Sequence, residues 1–130
     1  MEVHINWVAV IVATVVSMVL AKTWFHEKTF GPTWRKLTSI SRADSKKAGK
    51  KPITITLFAN ILTVVTLAAM IGNSSLTTAL LIGFVTWAAF SATTLITHNA
   101  FEQKPGKLTA INTGYQLILF MAVAFILGIF

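Results

Sequence analysis

The sequence predicts an all-α integral membrane protein: a four-helix bundle with both termini outside and a short interfacial helix after the first span. Three observations lead there. Hydrophobic residues make up 55% of the chain and charged ones 12%, whereas soluble domains carry roughly 25% charge. Such a chain has too few polar groups to cover its own surface in water. Four apolar runs each reach the roughly 20 residues needed to cross about 30 Å of hydrocarbon. Finally, all the basic residues cluster at one set of run ends.

The runs extend from about Ile5 to Trp24, Ile53 to Gly72, Leu76 to His98 and Leu108 to Phe130, so residues 1–130 form a single membrane domain. They are continuously apolar rather than alternating, and too long for barrel strands. Turn-forming residues punctuate them: Gly31-Pro32, Gly49 and Pro52, Asn73-Ser74-Ser75, and Pro105-Gly106. Glu2 stands where a secretory signal would be basic, and no small-residue cleavage site follows. The first run is therefore expected to remain in the mature protein. Cysteine is absent, which excludes disulfides and thiolate metal sites.

Orientation follows from the cations. Lys22, Lys28, Arg35, Lys36, Arg42, Lys46, Lys47, Lys50 and Lys51 lie between the end of the first run and the start of the second. Lys104 and Lys107 lie between the third and fourth, which completes the total of 11. Cytoplasmic loops are enriched in Lys and Arg. The basic loop 25–52 is therefore expected in the cytoplasm, the termini outside, and the protein in the cell membrane. The net charge of +7, confined to one face, fits attraction to anionic lipid headgroups at about 1 kcal/mol per base better than it fits nucleic acid.

Within that loop, Pro32 suits a first helical turn. Phe30, Trp34 and Leu37 fall at i, i+4 and i+7, with Arg35 and Lys36 off that face. The spacing predicts a short helix lying in the interface. SRADSKKAGKKP, beyond it, is polar, basic and punctuated by Gly and Pro, and reads as a mobile link.

In lipid, close approach of small residues drives helix association. Ala9, Ala13, Ser17 and Ala21 form a four-member ridge, and Ala68/Gly72, Ala79/Gly83 and Ala110/Gly114 repeat the spacing. The ridge could serve within the bundle or between subunits, and the thin interior of four spans makes a homo-oligomer an expectation. Trp7, Trp24 and Trp34 read as interface anchors, while Trp87 lies mid-helix and is expected to pack.

Polar residues gather in the cytoplasmic half: Lys22, His26, Asn60, His98, Asn112, Tyr115 and Gln116. The last three share a face by i, i+3, i+4 spacing. In one reading Lys22 snorkels, His26 sits among headgroups, and the amides bond between helices. In another the residues surround a vestibule that binds or passes a small molecule, ion or lipid. A third makes the chain a structural or partner-docking protein acting through its basic loop. No cofactor or metal is expected, because His26, His98 and Glu27 lack H-x-x-E-H or E-x-x-H spacing. A nucleophile elbow, a glycine-rich phosphate loop and paired carboxylates are also missing, which points away from an enzyme. No Asp or Glu falls within the core of a run, which argues against a proton-coupled antiporter.

Several short motifs carry a family resemblance: INW at residues 5–7, W-F-x-x-x-x-F-G-x-x-W from Trp24 to Trp34, and W-x-x-F at Trp87 and Phe90. Phe101, Lys104-Pro105 and INTGY from Ile111 to Tyr115 continue it. Over nearly all its length the chain resembles the domain-of-unknown-function 1761 family of small four-span membrane proteins. The resemblance implies the fold and a membrane location, but no activity. That family usually has Trp-Tyr followed by a small residue and Pro, where this chain has Phe25, His26 and Glu27 and its proline at Pro32. The resemblance therefore directs interest to Trp24, Phe30, Gly31, Trp34, Asn112, Gly114 and Tyr115 rather than to His26 and Glu27.

Overall fold

The computed structural model describes residues 3–130. Among them, helix α1 (Trp7–Trp24) begins where the Asn6 carboxamide accepts hydrogen bonds from the Val8 and Ala9 amides, satisfying donors that a helix start leaves orphaned. Two short helices follow, α2 (Gly31–Thr38) and α3 (Arg42–Ala48), and then the second span, α4 (Lys51–Ile71). The third span starts at a Ser75 cap as α5 (Leu76–Thr86). It widens into one π-helical stretch, Trp87–Ala92, and continues as α6 (Thr93–Phe101). Helix α7 (Gly106–Ile129) is the fourth span. All four spans are long and apolar enough to cross a membrane.

The described ends of the chain and the turn at residues 73–75 lie together. A Cβ at Gly128 would meet Leu76 at 3.0 Å, and the His4 carbonyl lies beside Gly72. The Lys- and Arg-bearing loops therefore occupy the opposite end of the bundle. Helix α7 packs against all three other spans, and α1 also packs on α4.

The small-residue ridge lies inside this packing. Ala9, Ala13 and Ser17 are each 0% exposed, so the close contact it makes is within the bundle. Gly83 lets the third span approach α7 so closely that a Cβ there would stand 2.6 Å from the Ala124 Cβ. The Ala110/Gly114 pair behaves differently. Ala110 is exposed, and Gly114 faces the Trp24 ring, 3.4 Å from where a Cβ would be.

Two expectations need correction. Residues 42–48 are helical, not a loose link, because Ser41 and Asp44 form a capping box. The Ser41 hydroxyl accepts from the Asp44 amide and the Asp44 carboxylate accepts from the Ser41 amide, each at 3.0 Å. The Glu27 carboxylate then ties both short helices to the end of α1, reaching Arg35 at 2.7 Å and Arg42 at 2.6 Å. Trp24, expected as an interface anchor, turns inward instead: its indole N–H donates to the Ile111 carbonyl at 3.1 Å. Trp87 packs as expected, its indole donating to the Thr113 carbonyl at 3.0 Å.

Candidate functional site

The site begins with the way α1 ends. The helix leaves carbonyls without intrahelical partners, and the following turn folds back to meet them. The Thr29 hydroxyl has the carbonyls of Thr23, Trp24 (2.9 Å) and His26 (3.0 Å) within reach of its one hydrogen. The Phe30 amide donates to the Trp24 carbonyl at 3.1 Å and the Gly31 amide to the His26 carbonyl at 3.0 Å. This turn is so tight that a Cβ on Gly31 would lie 2.5 Å from the Phe25 carbonyl oxygen and 2.7 Å from that of His26. Both obstacles are backbone, so position 31 has room for hydrogen alone.

The turn brings the aromatics of this segment together. Trp24 and Phe30 lie with ring centroids 4.5 Å apart, and Phe25 meets Trp34 edge-on at 5.4 Å. Both clusters reach Tyr115 of α7, Phe25 at 5.1 Å and Trp24 at 6.4 Å. Trp24, Phe30, Gly31, Trp34 and Gly114 thus meet in one aromatic knot at the basic end of the bundle. Offset and edge-on ring pairs of this kind contribute about 0.5–1.5 kcal/mol each beyond area burial.

Beneath the knot lies a small polar centre. Tyr115 is 7% exposed and Asn60 is 5% exposed. Asn60 donates to the Ser17 hydroxyl at 3.1 Å and contacts the Met18 sulfur at 3.5 Å. The Ser17 hydroxyl in turn donates to the Thr14 carbonyl at 2.6 Å. The Tyr115 hydroxyl is buried within hydrogen-bonding reach of the Asn60 side chain, yet no bond of full geometry joins them. Ser17 precedes the end of α1 by seven residues, which at 1.5 Å each puts the centre about 10 Å inside the basic end.

The seven residues that the sequence grouped together fall into two sets. Asn60 and Tyr115 come together in the interior, with Asn112 and Gln116 half-buried on α7. Lys22, His26 and His98 are exposed, and His26 Nδ1 accepts from the Lys28 amide at 3.1 Å. Sequence reasoning missed Ser17 as the partner of Asn60, having read it only as a small residue on a ridge. It also missed the link from Asn99 Nδ2 to the Thr109 hydroxyl at 3.0 Å, which joins α6 to α7. Among the described residues no group of three His, Asp or Glu side chains is placed to hold a metal.

Charge at this end is unbalanced. Glu27 is taken by Arg35 and Arg42, and Glu102 by Lys104 at 3.3 Å. Asp44 is held by Ser41, whose amide and hydroxyl keep its carboxyl below the usual range. Among the described residues this leaves Lys22, Lys28, Lys36, Lys46, Lys47, Lys50, Lys51 and Lys107 with no carboxylate in ion-pair range.

Four apolar spans around an α7 hub, with all the cations at one end, define a multi-pass membrane protein. The chain belongs to the family described as "Protein of unknown function (DUF1761)", which matches residues 8–128 and so includes both the knot and the polar centre. No curated protein and no solved structure matches the chain.

Proposed function

We propose that this is a non-enzymatic protein of the cytoplasmic membrane, its basic end inside, which binds a small polar molecule at the Ser17–Asn60–Tyr115 centre. The observation that carries this reading is the buried Tyr115 hydroxyl, which has Asn60 beside it but makes no hydrogen bond of full geometry. Leaving such a group unpaired costs about 1–3 kcal/mol, and a ligand that bonds it recovers that loss. Asn60 beside it offers a second polar group, and the knot above supplies aromatic cover.

Native mass spectrometry of protein extracted from its own membranes tests this. The wild type should carry an adduct of defined mass, reduced about tenfold or more in Tyr115→Phe, which removes one hydroxyl and keeps the ring. Identical spectra for the two proteins overturn the reading, all the more if Tyr115→Phe melts at a higher temperature, because the hydroxyl then matters only to packing.

The lysines without carboxylates favour a second reading, docking of anionic headgroups to the basic end. Replacing Lys46, Lys47, Lys50 and Lys51 with Gln should then reduce the anionic phospholipid that co-purifies, while leaving any Tyr115-dependent adduct intact. Unchanged lipid content counts against it.

A further inference from the structure

We infer that the groove between α4 and the third span holds one acyl chain of a phospholipid from the leaflet on the Asn73 side. The groove has a volume of about 320 Å³, with walls from Leu62, Thr66 and Met70 of α4, Thr86 and Phe90 of the third span, and Phe120 of α7. It opens where α4, which packs on α5, diverges from the π turn and α6. Phe90, on that wider turn and 74% exposed, forms the far wall.

The lining is apolar in effect. Thr63 donates its hydroxyl to the Ala59 carbonyl at 3.1 Å and Thr86 to the Ile82 carbonyl at 2.7 Å, so both hydrogens are used by their own helices. Of the lining threonines only Thr66, exposed at the groove's edge, keeps a hydroxyl without a bond, too little to hold a polar solute. At the end of α4 a second space of about 580 Å³ shares Thr66 and Met70 with the groove and is bordered by His4, Gly72 and Asn73. Val65, Ala69 and Ile71 also line that second space. The surface therefore stays mainly apolar from the groove to the Asn73 end of the span, where His4 and Asn73 supply polar groups.

Dimensions decide between a lipid chain and a helix from a second copy. From Leu62 to Asn73 the rise along α4 is about 16 Å at 1.5 Å per residue, close to one leaflet of a hydrocarbon core of about 30 Å. Over the groove itself, Leu62 to Met70 or about 12 Å, a helix about 10 Å wide would fill about 940 Å³, roughly three times the groove's 320 Å³. A polymethylene chain, one carbon thick, fits it.

Photolabelling tests the assignment. The full chain is reconstituted in phosphatidylcholine vesicles containing a phosphatidylcholine with a mid-chain diazirine, irradiated, and its adducts mapped. Label should concentrate on residues 62–70 and Phe90, and fall at least fivefold in Thr66→Trp, an exposed position where a larger side chain fills the groove without entering the core. Met70→Trp, at the mouth, should have the same effect. Label spread evenly over other lipid-facing residues such as Phe58, Leu81 and Phe101 overturns the proposal. So does an intermolecular disulfide formed by Thr66→Cys in membranes, since a second copy would then occupy the groove; the native chain has no cysteine to confuse that result.

Discussion

Gly31 shows how much one missing methyl group can organise. Its hydrogen faces two backbone carbonyls at distances no side chain tolerates, and backbone cannot rotate aside as a side chain can. Gly31→Ala should cost at least about 2 kcal/mol, in the range of overpacked sites, read as a lower melting temperature in detergent. Gly106 is the control. Nothing lies within 4 Å of a Cβ there, so Gly106→Ala in the first turn of α7 should be neutral or add up to about 1 kcal/mol. The Phe30-Gly31 pair could be singled out from the sequence, though its cause could not, because the clash depends on how the turn closes. Trp24 gave the opposite lesson. A tryptophan at a membrane edge suits either headgroups or an interior carbonyl, and only the position of α7 decides for Ile111.

At the scale of elements, α3 is a helix that its own sequence encodes. Ser41-Arg42-Ala43-Asp44 fits the S-x-x-D capping pattern, and the glycine, proline and lysines around it masked that signal. The Asp44 carboxyl is held below its ordinary value of 3.8 by the Ser41 amide and hydroxyl. A depressed folded-state value means the cap's contribution is fully present above pH 3.8 and fades as the pH falls through that lower value. A pH titration followed at the Ser41 amide by NMR should therefore show a midpoint below 3.8, and Ser41→Ala, which removes the hydroxyl but keeps the amide, should raise it only part of the way back. The π stretch Trp87–Ala92 was not legible at all. WAAFSA contains no Gly or Pro, and nothing in its periodicity separates a π turn from the α-helix on either side.

At the scale of the molecule, the four spans were readable because crossing hydrocarbon sets a length that composition alone can meet. Which helices touch was only half readable. The ridge from Ala9 to Ala21 announced a close contact, but small residues look the same whether the partner is α4 or another subunit. The candidate site was legible as a list of polar residues sharing one end. Its division into exposed cations and a buried hydroxyl–amide centre arises from the knot between them, a product of tertiary packing. The proposed orientation has a direct check. Ser45 is exposed on α3, so Ser45→Cys should react with an impermeant maleimide only after cells are permeabilised. Labelling of intact cells would invert the topology.

The hub position of α7 has a consequence for biogenesis. The helix that α1 and α5 pack against most is the fourth of the four to leave the ribosome. Until it arrives, the Trp24 and Trp87 indoles have no carbonyls of α7 to meet, and α1 and α5 lack their most extensive partner. Assembly would therefore run in two stages, α1 pairing with α4 through the ridge and the Asn60–Ser17 bond before α7 closes the bundle. A ribosome stalled before Gly106 would leave an intermediate recognisable to membrane quality control by the polar side chains it still presents to lipid.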